Sequence, residues 1–265
     1  TFQALSRLMH EAIGVHFTPA KKPLVASRLA PRIQRLGLGG YEDYLGLISG
    51  AAADGATGGE FQMAVDLLTT NETYFFREPA HYALIEQEIL RTKPLTLAVW
   101  SAAASFGDEA YSTAMLLADL QQRSVLGSDW RVLGTDISDR VLRSAVEGIY
   151  PEDRLRDVSP ERLRRYCLRG SDASAGLVQM GPRLRERVRF GQLNLCQPID
   201  DIGPFDIVLL RNVLIYFDAA TKAAVVDRVL TQLRPGGLFF IGTAEGRVAC
   251  STPLQPLAPG AFRKT

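Results

Sequence analysis

The chain has 265 residues, 46% of them hydrophobic and 22% charged, with a net charge of +1. This is globular composition, long enough to bury a sizeable core, and the near-zero charge excludes a broadly basic nucleic-acid-binding surface. No apolar run reaches membrane-spanning length and no signal peptide is visible, so neither membrane insertion nor a nucleic-acid partner is expected.

Residues 1–68 read as an N-terminal helical domain. Leu5, Leu8, Met9 and Ala12 recur at helical spacing, and Leu24, Leu29, Ile33 and Leu36 do so again. Gly37, Gly39 and Gly40 interrupt the pattern before Tyr41, Tyr44, Leu45 and Ile48 resume it. The Ala/Gly-rich residues 49–60 predict a loop, and FQMAVDLL returns to a helix. Arg28, Arg32 and Arg35 fall near one face of the second helix, with Pro31 interrupting it. Such a face suits an acidic helical partner, or is simply a solvated helix surface.

Residues 69–265 change character. LTLAVW, WRVLGTD, VRFGQLN, FDIVLLR and GLFFIGT are apolar runs of strand length, separated in several places by helical patterns over 109–122, 139–146 and 219–233. The alternation predicts an α/β domain with a parallel sheet covered on both faces. About residues 164–187 the rhythm breaks: YCLRG and GLVQM, separated by SDASA, predict a small antiparallel β insertion. Cys167, Cys196 and Cys250 form no C-x-x-C and read as free thiols of a reducing, cytoplasmic compartment. His10, His16 and His81 show no metal-ligand spacing, so no metal site is expected.

The stretch VWSAAASFGDEAYS places a small-residue loop between the first of these strands and a helix, where open parallel sheets bind ligands. It lacks G-x-G-x-x-G, which disfavours a dehydrogenase, and its acids Asp108 and Glu109 would repel a pyrophosphate. They suit a ligand with hydroxyls or positive charge, such as S-adenosylmethionine, or else only favour a helix N-terminus. Asp136 ends the next strand, where an acid holds ribose hydroxyls or caps the following helix.

Several stretches, LTTNETYFFRE, WSAAASFGDEAYS, GTDIS, GIY, NL, GPFDIVLLRNVLIYFD and LRPGGLFFIGTAE, occur in an order that resembles the CheR-type chemotaxis receptor methyltransferases over nearly the whole chain. The resemblance implies a Rossmann-like class I S-adenosylmethionine-dependent domain over residues 69–265. It further implies methylation of glutamate carboxylates on the cytoplasmic helical region of chemoreceptors (methyl-accepting chemotaxis proteins), with S-adenosylhomocysteine as product. Carried over by motif, Asn71, Thr73 and Arg77 lie along the methionine end of the cofactor and the reaction centre. The loop alanine Ala102 and Glu109 contact the cofactor, Asp136 the ribose, Asn194 and Leu195 the adenine side, and Arg211 and Asn212 complete the pocket. Tyr216 stands near the transferred methyl, so Arg77 and Tyr216 are the catalytic candidates, and Arg28 and Arg32 the receptor-docking ones. Where the family often has Glu-Glu-Pro-Tyr-Ser, this chain has Asp108-Glu109-Ala110-Tyr111-Ser112, and its insertion lacks the Gly-x-Gly of members that bind a receptor tail peptide.

A carboxylate of ordinary pKa, about 4.3, is ionised near neutrality, so methyl transfer to it needs positioning and desolvation rather than a base. No Ser/His/Asp set stands out. Taken singly, Tyr216 and Phe217 also read as core aromatics, Phe75 and Phe76 as packing at the domain junction, and Arg77 as a surface ion pair. The alternative class is a non-catalytic relative that senses the cofactor or serves as a scaffold.

Overall fold

The computed structural model describes residues 1–53, 59–246 and 249–265. The chain opens with helices α1 (Phe2–Ile13), α2 (Lys22–Arg35), α3 (Tyr41–Ala53) and α4 (Glu60–Leu68). Each turns one apolar stripe inward: Leu5, Met9 and Ile13 from α1, Val25, Leu29 and Ile33 from α2, Tyr44 and Ile48 from α3, Val65 and Leu68 from α4. These stripes form a core separate from that of the sheet. Helix α2 continues through Pro31, and α3 continues to Ala53 into the stretch expected to be a loop. The rest of that expectation, residues 54–58, lies outside the described residues.

After α4 come α5 (Pro79–Thr92), β1 (Thr96–Ser101), α6 (Asp108–Gln122), β2 (Asp129–Asp136), α7 (Asp139–Glu147), β3 (Ile149–Pro151), α8 (Pro160–Tyr166), β4 (Cys167–Arg169), β5 (Leu177–Met180) and α9 (Pro182–Arg185). They are followed by β6 (Val188–Gln192), β7 (Phe205–Leu210), α10 (Ala219–Thr231), β8 (Leu233–Ile241), β9 (Leu254–Ala258) and β10 (Ala261–Lys264). The main sheet has seven strands in the order β6-β2-β1-β7-β8-β10-β9. Val99 of β1 stands beside Val132 of β2 and Ile207 of β7, both in parallel register. Because side chains alternate across a strand, Leu97 and Val99 join the core on one face, with Met115 and Phe240, while Ala98 and Trp100 join the other, with Val226 and Phe239.

The sheet is mixed rather than wholly parallel. β10 pairs antiparallel with β8, and β9 antiparallel with β10. The exposed Pro256 fits the outermost strand, where no neighbour needs its missing N–H. The antiparallel insertion starts before the expected residues 164–187: the three-stranded sheet runs β3-β5-β4, and Ile149–Pro151 supplies one edge. Three residues are too few for an alternating pattern to be read. Phe75 and Phe76 pack within the sheet's core instead of at the junction with the helices. Phe75 meets Tyr150 edge-on at 5.1 Å between ring centroids, and Phe76 lies 5.2 Å from Tyr82. Helix α5, which buries Tyr82, Ile85 and Ile89, was not anticipated.

Chain order reverses between β1 and β7: β2 lies on one side of β1, β7 and β8 on the other. A crevice opens at such a point, beyond the strands' carboxyl ends.

Candidate active site

The loop after β1 is held by its neighbours through the backbone. The Ala102 N–H donates to the Leu209 carbonyl and the Ala104 N–H to the Thr135 carbonyl, each at 2.8 Å. It ends at Gly107, whose φ of 90° strains any residue with a side chain. The two acids that follow diverge. Asp108 is fully buried and binds Arg154 through two hydrogen bonds of 2.7 and 2.9 Å, facing away from the crevice. Glu109 faces the crevice, accepts the Ser101 hydroxyl at 2.7 Å and stands 3.3 Å from Arg211 Nη1. Burial pushes both carboxyls up, with Arg154 opposing the shift at Asp108 and Arg211 at Glu109.

Asp136, 8% exposed, closes β2. One carboxylate oxygen accepts the Ser105 N–H at 2.9 Å, the other the Ser138 N–H at 3.0 Å. Burial pushes the carboxyl up, and the backbone amides pull against it. Ser138, not Asp136, caps α7, through the Val141 N–H. Asp136 therefore ties two loops together and keeps lone pairs for a ligand.

The loop after β7 supplies Arg211 and Asn212. The Arg211 side chain is 1% exposed, donates through Nη2 to the Arg77 carbonyl, and lies 3.9 Å from Glu78. Its Nε and Nη1 have no hydrogen-bond partner among the described residues. Burial works against the guanidinium charge, and Glu109, Tyr82 and Glu78 more than offset it, so Arg211 titrates above its ordinary value. Asn212 has a φ of 60° and donates its amide to Glu78 at 3.1 Å. Tyr216 ends the single turn Leu214–Tyr216. Burial pushes its hydroxyl up, while Thr70, Arg77 and Arg28 act the other way.

The connection between α4 and α5 forms a further wall. The Asn71 carbonyl accepts the Ser105 hydroxyl at 3.1 Å, and Arg77 Nη1 donates to the Glu72 carbonyl at 3.1 Å. The Arg77 guanidinium lies 5.6 Å from the Tyr74 ring centroid. Phe76 and Glu78, on either side of Arg77, have φ of 54° and 56°, an uncommon conformation for residues with side chains.

One crevice thus gathers Asn71, Thr73, Arg77, Ala102, Glu109, Asp136, Asn194, Leu195, Arg211, Asn212 and Tyr216. Asn194 has partners of its own: Nδ2 donates to the Ala12 carbonyl at 2.7 Å and Oδ1 accepts the Cys196 N–H at 3.0 Å. Arg28 and Arg32 lie outside the crevice lining, and of the expected stripe these two are engaged by neighbours while Arg35 is exposed. Arg28 donates to the Leu68 and Thr69 carbonyls and to the Thr70 hydroxyl, fastening α2 to the chain that leads into the crevice. Arg32 forms a paired contact with Glu60, which also accepts the Tyr44 hydroxyl. Both side chains, half-buried, are thereby engaged by the helical bundle, Arg32 by an opposite charge and Arg28 by neutral acceptors.

Sequence reasoning missed the wall contributed by the N-terminal helices. His16, Phe17 and Lys21 line the crevice, and the His16 N–H donates to the Tyr216 carbonyl at 3.0 Å. No motif marks them, because their role comes from the docking of α1 onto the loop after β7.

Two family models match. "CheR methyltransferase, all-alpha domain" covers residues 1–69 and "CheR methyltransferase, SAM binding domain" covers residues 71–254. The chain belongs to the CheR methyltransferase family. It is similar to a chemotaxis protein methyltransferase of Escherichia coli, 38% identical over 92% of this chain and 83% of that protein. It also resembles chemotaxis protein methyltransferase 2 of Pseudomonas aeruginosa, at 36% over 94% of this chain and 88% of that one. Among solved structures, an S-adenosylmethionine dependent methyltransferase from Mesorhizobium loti matches with a TM-score of 0.30 and 17% identity, over 60% of this chain and 51% of that one.

S-adenosylmethionine is the cofactor of this CheR methyltransferase, and the crevice fits it. Ala102 and Ala103 leave room beside the backbone, and the buried Asp136 carboxylate suits ribose hydroxyls. The Arg211 guanidinium, with Nε free of a hydrogen bond among the described residues, and the Glu109 carboxylate suit the polar, zwitterionic amino-acid end. Among the described residues, no helix is long and apolar enough to cross a membrane.

Proposed function

We propose that this CheR methyltransferase acts in the cytoplasm and forms methyl esters on glutamate side chains of the helical cytoplasmic region of chemoreceptors. We further propose that residues 1–68 and 69–265 are its two domains, with Asp136, Glu109, Arg211, Asn212, Asn71, Thr73, Ala102, Asn194 and Leu195 serving the cofactor, and Arg77 and Tyr216 the reaction centre. The relatives' names support the chemotaxis setting. The observation that carries the chemistry is that Arg77 and Tyr216 line the same crevice.

When bound, S-adenosylmethionine supplies a methyl group on a positively charged sulfur. The chain's own part is to bring a carboxylate oxygen into line with it. Arg77 offers a charge-assisted hydrogen bond to an incoming carboxylate, and Tyr216 offers a neutral one. The Tyr216 hydroxyl stays protonated at neutral pH, since burial raises its pKa, so it donates and does not act as a base. The half-buried Tyr216 ring displaces water from the reacting oxygen. No proton leaves the substrate, because a glutamate of pKa about 4.3 arrives ionised. Alignment and desolvation of this kind can remove as much as about 7–11 kcal/mol of barrier.

The test is incubation with methyl-labelled S-adenosylmethionine and cytoplasmic receptor fragments. Label released as methanol by mild base is expected. Label that survives base marks nitrogen methylation and contradicts ester formation.

A further inference from the structure

Beyond the crevice, where the ends of β7 and β8 meet, the Glu245 carboxylate accepts several backbone N–H groups. Oε2 accepts the Asn212 N–H at 2.9 Å and the Gly242 N–H at 2.7 Å, and Oε1 accepts the Ile215 N–H at 3.3 Å. Glu245 does not line the crevice, yet two of these amides belong to the loop that carries Asn212, Val213 and Tyr216 into it. The packing here is close. A Cβ on Gly242 would stand 2.4 Å from Asn212 Nδ2 and 3.0 Å from Glu245 Oε2. From the other side, Glu78 accepts the Asn212 side-chain amide and the Thr243 N–H, each at 3.1 Å. Asn212 is thereby held with a φ of 60°, away from the conformation a free chain favours.

We propose that Glu245 is a positioning residue for methyl transfer: by gathering the Asn212, Gly242 and Ile215 amides it sets the loop and so fixes where Tyr216 stands. Nearly all buried backbone N–H groups in proteins are paired, and one carboxylate can serve several because each oxygen accepts two hydrogen bonds. A neutral amide in its place has only one accepting atom. Either Ile215, next to Tyr216, or the pair Asn212 and Gly242 then loses its acceptor. Glu245 does not line the crevice, so its effect reaches the reaction through the loop.

The inference rests on the proposed place of Tyr216 at the reaction centre. The two are separable, because the rate of Tyr216→Phe alone tests that place and only the Glu245 series tests this one. The experiment measures single-turnover methyl transfer at saturating cofactor and receptor fragment for four full-length proteins: wild type, Glu245→Gln, Tyr216→Phe and the double variant. Glu245→Gln is expected to lower the rate about tenfold, the equivalent of one charge-assisted hydrogen bond. In the Tyr216→Phe background the same change is expected to cost less than about threefold, since the hydroxyl it positions is gone. Glu245→Asp, which keeps the charge, should recover part of the loss. An equal loss in both backgrounds means a general structural effect and overturns the proposal, as does a Glu245→Gln rate within about twofold of wild type. If Glu245→Gln does not fold, the same cycle is run with Glu245→Asp, and failure of both to fold makes Glu245 a structural anchor and also overturns the proposal.

Discussion

The floor and the rim of the crevice are built differently. On the floor, Asp136, Glu109 and Arg211 are withdrawn from solvent, and each charge meets a backbone amide, a hydroxyl or an opposite charge supplied by the sheet's loops. At the rim, His16, Lys21, Glu72 and Tyr74 are exposed and come from the N-terminal helices and the connection before α5. A small cofactor needs donors and acceptors fixed before it arrives, because ordering them on binding would cost affinity. A protein surface brings its own rigidity, so the groups that meet it can stay in water. The division of labour follows from where the sheet ends, with buried groups at the strand termini below and exposed side chains above.

The largest expected effect lies behind the floor. Arg154→Ala leaves the fully buried Asp108 carboxylate without its partner, which should cost about 3–5 kcal/mol of folding stability in urea unfolding. A loss under about 1 kcal/mol would mean that the head of α6 is less rigid than the floor requires. Next, Asp136→Ala should weaken S-adenosylmethionine and S-adenosylhomocysteine together, about tenfold to a hundredfold by calorimetry, because both carry the ribose. Weakening of one ligand alone would move Asp136 away from the ribose.

Arg32→Ala sharpens the contrast from the helical side. Glu60 loses its charged partner and keeps only the Tyr44 hydroxyl, so thermal unfolding should show a loss of about 1–3 kcal/mol while the KM for receptor fragments stays unchanged. A raised KM with intact stability would return Arg32 to a docking role. The smallest effect is a pH dependence. His81 is almost fully buried, donates to the Pro259 carbonyl at 3.0 Å, and faces Glu78 and Arg211. Burial holds its pKa below the ordinary value of 6.5. Below about pH 6.5 the unfolded chain takes up a proton that the folded chain refuses, so stability falls with pH, by at most about 1.4 kcal/mol per pH unit for this one group. His81→Gln should flatten the stability curve below that pH, and an unchanged slope would assign the loss to other groups.

Much of this was legible in the sequence, and for a physical reason. β1, β7 and β8 contain apolar runs because buried strands admit little else, and several of the site residues carried over by motif, Ala102, Asp136, Arg211 and Asn212 among them, sit at or just beyond the ends of the strands, while Asn71, Thr73 and Arg77 come from the connection before α5. What escaped notice depends on tertiary contact. β3 is three residues long, and β9 carries Pro256 at the sheet's edge. Helix α5 does show Tyr82, Ile85 and Ile89 at helical spacing behind Pro79, a signal that could have been read. The partners of Arg28 and Arg32 could not have been, because Leu68 and Glu60 are brought to them only by the packing of α4. His16 and Lys21 reach the rim for the same kind of reason, and Glu245 is a polar residue in a turn until its side chain is seen to reach back to Asn212.

Positioning without proton abstraction is the central claim, and the single-turnover rate of methyl transfer as a function of pH tests it most directly. At saturating cofactor and receptor fragment, from about pH 6 to about pH 9, the substrate carboxylate is already ionised and the rate should stay level. A rate that climbs about tenfold per pH unit through that range would show that a base must first remove a proton, and would contradict the mechanism.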